Sequence, residues 1–462
     1  MQDEMDRRSQ TTVTLCNSAT VLKNSLEKPS YMFLRGRHSG SFYLKIGMAA
    51  FCFGHLIYEG LQLGQQVIYL TQQGTDCVDV AAIVLHIITP IYSFYQLFFC
   101  FKYANVIINR MKVLSRFGVM HLLGTSLYFW LSTIFEDVIQ NYLLIVSDET
   151  VTTNNTTDLK PFISSNTECL KTYFVLSPYS LQAVPYLYPF TIEYNLLLAG
   201  VWFIAWQNIG KDHRHAEAWH LTQKVNMEEE DDIKFESNLV LSVDCHSANR
   251  GLFAGLFLLF VTTVTVIVFF VSINNDEYIQ TGVDLYVAQE ICLVILGLIS
   301  LSLAYPLVAK LDINLHPITF LDDLLMFLPL PFFFINGILT VWAELQDSNY
   351  VRVVLSILLN IQVIFQTVFV SNGLRRCSNS YDLRYQKPGR ELITFLIILN
   401  LAMWIVNTFQ HKNAEPYQAP EHHYGTQWMF VAHATLPLML FYRFHSSVCL
   451  ADVWQSAYKK GE

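Results

Sequence analysis

Two ionisable residues stand in apolar stretches at matching places, and their types suit proton exchange. Glu193 follows Pro185 by eight residues, and His445 follows Pro437 by the same distance in a segment that aligns without a gap. Carboxyl and imidazole groups both titrate near neutral pH when partly buried. Ionisable side chains at membrane depth are costly and usually functional. Glu193 and His445 are therefore the first candidates for a proton-exchanging site.

Amide side chains recur in the same two regions of the chain. Gln96 aligns with Gln366, and Asn400 aligns with Ser126. The further polar residues of these apolar segments are Glu59, Asn336, Asn360, Gln362, Asn407, Tyr442 and His433. Such groups often only hydrogen-bond a neighbouring helix, and for any single amide that interpretation is as good as a functional one. Glu136 and Asp137 are expected near an outer helix end, on a solvated rim or as weak pH sensors.

The elements that carry these residues have the composition of a membrane protein. Apolar residues make up 53% and charged residues 15%, where a soluble domain carries about 25% charge. Apolar runs of about 20 residues match the length of a membrane-spanning helix. Ten spans are predicted, and the fold class is an all-α polytopic membrane protein. They are 42–70, 78–101, 117–144, 186–207, 251–273, 283–309, 321–343, 351–374, 391–409 and 427–454.

The distribution of basic residues predicts the orientation. Of 29 Lys and Arg residues, four fall on the outer side when both termini are placed in the cytosol, namely Lys160, Lys171, Arg352 and Lys412. This bias is the positive-inside pattern. Two overlapping glycosylation sequons, at Asn154 and Asn155, fall on the same outer side. The outer loop also holds Cys169, which could form a disulfide with Cys77 or stay reduced.

An internal repeat relates the two regions. The segment 185–202 matches 437–454, 84–99 matches 354–369, and 127–135 matches 401–409, in the same order along the chain. Each pair runs in the same direction across the membrane, so the repeat is parallel. Duplicated helix bundles are common in transport proteins.

Enzyme, metal and nucleic-acid signatures are absent from the sequence. There is no HExxH, P-loop or GxSxG motif, no closely spaced metal-ligand cluster and no basic run. The sequence therefore predicts neither an enzyme nor a bound cofactor or metal.

Several sequence blocks together resemble the otopetrin family of proton channels. The blocks are Arg116–His121, Tyr186–Tyr194, Trp206–Gly210, Asp244–His246, Asn400–Trp404, Tyr424–Gly425 and Phe441–Ser446. The resemblance implies a dimeric, proton-selective channel of the plasma membrane that extracellular acid opens. It also implies that Gln366, Asn400 and Tyr442 form the polar cluster of the C-terminal half. Gln96 is the N-terminal counterpart, with Ser126 and Phe190 where the family pattern has more polar residues.

The resemblance also sets the expected domain plan. A polar tail (1–41) precedes an N-terminal half (42–209) with an outer loop (146–184). An acidic cytosolic loop (210–249), a C-terminal half (250–454) and a short tail (455–462) follow. Otopetrins have six helices in each half, so the first two are expected to be missing from this chain.

Two other functions remain open at this stage. A proton-coupled solute transporter would need helices interrupted at mid-membrane, and Pro329 and Pro331 could interrupt one. A non-conducting, truncated subunit that pairs with a full-length relative is the other alternative. The expected partners are protons, membrane lipid and a second subunit.

Overall fold

Each of the ten predicted spans falls mainly within helical residues of the computed structural model, which confirms the all-α polytopic fold class. The structure describes residues 31–33, 42–73, 80–103, 106–152, 178–210, 249–314 and 320–461. The glycosylation sites Asn154 and Asn155, the cysteines Cys77 and Cys169 and most of the two long loops lie outside these residues.

The described helices form two groups along the chain. The first is α1 (Phe42–Gln73), α2 (Val80–Tyr103), α3 (Lys112–Thr152) and α4 (Pro178–Asn208). The second begins with α5 (Asn249–Ile273), α6 (Ile279–Val308), α7 (Phe320–Phe327), α8 (Leu330–Gln346) and α9 (Tyr350–Leu374). It ends with α10 (Tyr381–Gln386), α11 (Arg390–Val406), α12 (Ala419–Tyr424) and α13 (Thr426–Ser456).

Length and composition allow most of these helices to cross a membrane. Within the described ranges, eight helical stretches are long and apolar enough to do so. The helices α1 and α13 are not among the eight, although they have 32 and 31 residues, because they carry more polar side chains. Polar residues in a long helix must face other protein groups in lipid. The polarity of α13 therefore fits its place inside the bundle.

The seventh predicted span is interrupted, and the ninth is irregular at its C-terminal end. We call helix ends outer or inner by the side that the basic residues predict for them. Pro329 is the N-cap of α8 and follows the end of α7 at Phe327, because a proline has no backbone N–H to continue the preceding helix. This break lies near one end of the span rather than in its middle. At the outer end of α11, a π-helical turn (Asn407–His411), a short helical turn (Lys412–Ala414) and a 3-10 turn (Glu415–Tyr417) replace regular helix.

The hydrophobic core consists of two main clusters, and α13 contributes to both. One cluster contains apolar residues of α5 to α13. The other contains residues of α1 to α4 together with Leu325, Leu438, Phe441 and Val448. Helix α13 therefore packs between the two groups of helices, and twenty-one of its residues are buried.

Close helix contacts and apolar outer faces complete the bundle. A Cβ atom at Gly251 would overlap the backbone of Glu391, so only glycine lets α5 approach α11 this closely. The opposite face of α5 exposes large apolar side chains such as Phe253, Phe257 and Val271. An apolar surface of this kind suits contact with lipid.

Two short antiparallel strand pairs lie at helix ends. Strand β1 (Tyr31–Phe33) pairs with β2 (Val106–Ile108), and β3 (Asp312–Ile313) pairs with β4 (Arg376–Cys377). Strands β2, β3 and β4 follow the ends of α2, α6 and α9, the ends that the basic residues place in the cytosol.

Candidate functional site

A set of buried polar side chains runs through the second group of helices, and we call it the C-terminal polar chain. Its members are Gln362, Gln366 and Thr367 of α9, Asn400 of α11, and Tyr442 and Arg443 of α13. Each of the six is at most 1% exposed. Buried polar groups are stable only when they are hydrogen-bonded, so their partners define the site.

The predicted pair Gln366 and Asn400 is in direct contact. The Gln366 amide nitrogen donates to Oδ1 of Asn400 at 2.7 Å, and Nδ2 of Asn400 donates back to Oε1 of Gln366 at 3.2 Å. Tyr442 of α13 contacts the same helix α9. Its hydroxyl lies 2.9 Å from Oγ1 of Thr367 and 2.9 Å from the carbonyl oxygen of Val363. The structure thus brings together all three residues that the resemblance assigned to this half.

Arg443 joins the same chain, although the sequence counted it among the cytosolic basic residues. Its Nη1 donates to Oε1 of Gln362 at 2.7 Å, and Nε2 of Gln362 donates to Gln366 at 2.8 Å. The guanidinium also faces the ring of Phe333 at 5.7 Å, a favourable cation–π contact. The cytosolic placement of Arg443 was wrong, because its amide and aromatic neighbours offset the cost of burying the charge.

Further polar residues lie between the C-terminal polar chain and the outer ends of the helices. The Tyr286 hydroxyl lies 2.9 Å from Nδ1 of His411, which is the last residue of the π-helical turn. Glu290 follows Tyr286 by one turn of α6 and lies within electrostatic range of Arg443 and of Arg352. Polar groups therefore extend from the outer loop to the middle of the bundle.

The inner end of α9 carries the next polar groups. Ser371 follows Thr367 by one helical turn and donates to Oδ1 of Asp323 at 3.1 Å. Arg375 binds the same carboxylate at 2.5 Å, and its side chain is 44% exposed. The polar groups therefore reach the protein surface at Arg375, about two helical turns beyond Thr367.

The first group of helices holds a smaller cluster, which we call the N-terminal polar cluster. It consists of His55, Ser93, Thr191 and Tyr194, all buried. Nε2 of His55 lies 3.0 Å from the Ser93 hydroxyl, and Nδ1 lies 3.2 Å from the Thr191 hydroxyl. The Tyr194 hydroxyl donates to the Ser93 carbonyl at 2.6 Å. Hydroxyl groups thus satisfy both ring nitrogens of His55.

The two residues predicted for this half make fewer contacts than their counterparts. Gln96 is 4% exposed, and its Nε2 has no hydrogen-bond partner among the described residues. Ser126 donates to the carbonyl oxygen of Leu122 on its own helix, at 3.0 Å. Phe190 packs its ring against Phe51 and Trp404. The matched positions of the repeat therefore carry different contacts in the two groups.

The outer part of the first group is rich in acid. Oε2 of Glu59 lies 2.7 Å from Nδ1 of His86, and Tyr58 donates to Oε2 of Glu136 at 3.3 Å. Glu59 is only 7% exposed. The predicted membrane position of Glu59 thus corresponds to a nearly buried carboxylate with a histidine partner.

Glu193 and His445 lie at the junction between the groups, but no described hydrogen bond or ion pair joins them. Glu193 accepts from Nε1 of Trp404 at 3.0 Å. Nε2 of His445 lies 3.4 Å from Sγ of Cys449. Oε2 of Glu193 and Nδ1 of His445 are buried without a hydrogen-bond partner among the described residues. Each predicted residue therefore keeps one unpaired polar atom in the interior.

A second junction lies near the outer ends, where the sequence predicted a solvated rim. Asp137 of α3 is 6% exposed, so that expectation was wrong for this residue. Its Oδ1 binds Nζ of Lys412 at 3.0 Å, and its Oδ2 bonds to Nδ1 of His433 on α13. A buried carboxylate needs such partners, and they come from the other group of helices.

The remaining predicted polar residues line helix contacts. Asn336 donates to the Thr435 hydroxyl at 3.2 Å, and Asn360 donates to the Ser356 carbonyl oxygen at 2.9 Å. Asn407 is 7% exposed where the π-helical turn begins. For Asn336 the contact matches the role of bonding to a neighbouring helix that the sequence left open, whereas Asn360 bonds within its own helix.

Sequence reasoning missed several members of these networks. His411, Tyr286 and Arg443 stand near predicted span ends or in apolar surroundings without a matching residue in the other half. The signal that could have identified Tyr286 is its spacing of one helical turn from Glu290. His55 precedes Glu59 by the same spacing.

The fold and the site together define a multi-pass, all-helical membrane protein whose interior contains buried polar side chains. The otopetrin family model matches residues 43–168 and 145–444, so the chain belongs to the otopetrin family.

Relatives with assigned names agree with this membership. The chain is 28% identical over 469 residues to the Proton channel OtopLc of Drosophila melanogaster, an alignment that covers 94% of this chain and 29% of that protein. It is 26% identical to the Proton channel OTOP1 of Danio rerio over 38% of this chain and 29% of that protein. The Proton channel OTOP2 of Mus musculus is 21% identical over 92% of this chain and 84% of its own length. The chain thus spans less than a third of OtopLc.

Proposed function

We propose that this chain conducts protons across the membrane along its buried polar side chains. The observation that carries the proposal is the C-terminal polar chain, in which Arg443, Gln362, Gln366 and Asn400 are joined by bonds of 2.7 to 3.2 Å. Protons pass between hydrogen-bonded groups and ordered water without a wide pore. The names of the relatives, all proton channels, point the same way.

The amides in this chain orient water rather than carry the proton themselves. Gln366 and Asn400 are bonded to each other from both sides, which leaves little capacity for a water molecule. Conduction then requires this pair to separate and admit water. The family resemblance implies that extracellular acid opens the channel, and we infer that acid does so by favouring the separated form.

Arg443 supplies selectivity in this mechanism. A fixed, buried guanidinium raises the energy of any metal cation that enters the same passage, as charged residues do in other selective pores. A proton can be relayed past it through water that Gln362 orients. Sodium and potassium cannot be relayed in this way.

The wider arrangement is part of the same proposal. The two groups of helices are duplicated halves, both termini are cytosolic, and Asn154 and Asn155 face outward. The protein acts in the plasma membrane as a homodimer or as a heterodimer with a longer relative. The many exposed apolar side chains, such as Phe257 and Ile338, support contact with lipid.

Whole-cell recording tests conduction directly. When the outside is acidified, we expect an inward current whose reversal potential shifts by about 59 mV per pH unit, the value for a single monovalent ion. A reversal potential that follows sodium or chloride would overturn the proposal. A chain that is silent alone and conducts only with a longer relative would show that it is an accessory subunit. Saturable uptake of a solute would indicate a transporter.

The junction residues give a second test. His445→Ala and Glu193→Gln are expected to change the size or the pH dependence of the current, because each replaces a buried ionisable side chain at the junction by one that cannot ionise. His121→Ala and Glu277→Gln are matched controls, since both of these side chains are exposed. If the junction variants behave like the controls at equal surface expression, Glu193 and His445 are not part of the pathway.

A further inference from the structure

Three side chains with metal-binding atoms meet at the inner end of the junction. They are Asp322 of α7 and His445 and Cys449 of α13, all buried. One ligand atom from each lies within 4.8 Å of the other two. The sequence predicted no metal site, because Asp322 is far from the other two residues along the chain.

The geometry at His445 and Cys449 matches a pair of metal ligands. Residues four apart on a helix share a face, and Nε2 of His445 is 3.4 Å from Sγ of Cys449. A tetrahedral zinc ion places a nitrogen and a sulfur ligand about 3.6 Å apart, given its usual bond lengths. The imidazole plane is also fixed, because the Phe441 ring stacks on it at 5.4 Å with an angle of 9°. Two of the ligands are therefore held close to the required arrangement.

Asp322 adds the third ligand from a different helix and balances the charge. A thiolate and a carboxylate together carry two negative charges, which a divalent cation would neutralise in a buried place. Asp323, the next residue of α7, forms an ion pair with Arg375, whose side chain is 44% exposed. Asp322 therefore adjoins a residue whose ion-pair partner reaches the surface.

We propose that Asp322, His445 and Cys449 form a binding site for a borderline-soft divalent cation of the zinc type. The thiolate, imidazole and carboxylate set suits zinc or cobalt and disfavours magnesium and calcium, which prefer oxygen ligands alone. Three protein ligands leave a fourth position for water. The bound ion joins α7 to α13 and occupies Nε2 of His445.

Cobalt titration of the purified full-length chain in detergent tests the site. Co²⁺ bound to a thiolate gives a charge-transfer band in the near ultraviolet. We expect this band to saturate at one ion per chain and to disappear when Zn²⁺ is added. The band should be lost in Cys449→Ser, and the affinity should fall by at least about tenfold in Asp322→Asn.

Cys377→Ser is the matched control. Cys377 is also fully buried near the inner helix ends, but it lies next to Asn379 rather than a histidine. This variant should bind cobalt like the unmodified chain, and size-exclusion profiles check that all three variants fold. A thiolate band that persists in Cys449→Ser, or no band in the unmodified chain, would overturn the proposal.

A current measurement tests whether the bound ion affects proton conduction. Zn²⁺ applied to the inner face of an excised patch should reduce the proton current, and Cys449→Ser should abolish that block. This second measurement rests on the proposed proton conduction, whereas the cobalt titration does not. A failure of conduction and a failure of the metal site are therefore separable.

Discussion

The two buried polar clusters use different chemistry, although the repeat matches two helices of each, α2 with α9 and α4 with α13. In the C-terminal polar chain, amides on α9 and α11 bond to each other and to Arg443 of α13. In the N-terminal polar cluster, hydroxyls surround His55, and the predicted amide Gln96 has an unpartnered nitrogen among the described residues. The sequence match between the two groups therefore does not extend to their polar contacts.

The difference also concerns charge. The C-terminal polar chain carries a buried cation, Arg443, whereas the first group carries acids such as Glu59 near its outer end. A buried cation opposes entry of metal ions, and a buried acid attracts them. We therefore expect the two halves, if both conduct, to differ in rate and selectivity.

The largest expected effect concerns the contact that holds the two groups together. Asp137→Asn removes the charge that binds Lys412 and His433, and breaking a buried ion pair costs about 3–5 kcal/mol. The thermal unfolding midpoint of the purified chain should fall clearly. Asp284→Asn is the control, because Asp284 is exposed and bonds only to Gln280 on its own helix among the described contacts. An equal midpoint for both variants would mean that the junction is not a stabilising contact.

The next effect separates the two clusters directly. Gln366→Leu leaves Asn400 without its side-chain partner, at a cost of about 1–3 kcal/mol. If that cost adds to the free-energy barrier of the conducting step, the proton current should decrease on the order of tenfold. Gln96→Leu should reduce it by less than about twofold, because its amide nitrogen already lacks a partner. Equal losses in the two variants, measured at matched surface expression, would contradict the assignment of the main path to the C-terminal half.

Much of this comparison could be predicted from sequence, and the reason lies in the repeat. Aligning the two halves identified Gln366 and Asn400, which do make contact, because matched positions on matched helices face the same interior. The alignment could not reveal Arg443, since the positive-inside pattern counts a basic residue of the last span toward the cytosolic side. It also could not show that Asp137 is buried, because its partners come from the other end of the chain.

A smaller effect tests whether the weaker cluster can be strengthened. Ser126→Asn introduces the amide that stands at the matching position Asn400. In a Gln366→Leu background we expect the current to rise about twofold, which corresponds to about 0.4 kcal/mol on the barrier. Ser126→Leu is the control, because it adds a similar volume without an amide. If the two Ser126 variants give the same current, an amide on α3 does not complete a path.

The smallest effect concerns an acid outside the spanning helices, on α12. Partial burial raises the pKa of Glu421 above its ordinary value of 4.5, while His422 and His433 oppose the shift. The folded protein therefore binds this proton more tightly than the unfolded chain does. Its contribution to stability is complete below the ordinary pKa and is lost as pH rises through the raised one.

Glu421→Gln removes that titration, so the variant should keep stability that the unmodified chain loses over the same window. The measurement is the difference between their unfolding midpoints as pH rises from about 4.5 toward neutral. Glu277→Gln, at an exposed position, corrects for the general effect of removing one carboxylate. The side chain of Glu421 is partly solvated, which makes this the smallest of the four effects. If the unfolding midpoint of the unmodified chain instead rises with pH relative to that of Glu421→Gln, the prediction is contradicted. The nearby histidines would then outweigh burial in setting the pKa of Glu421.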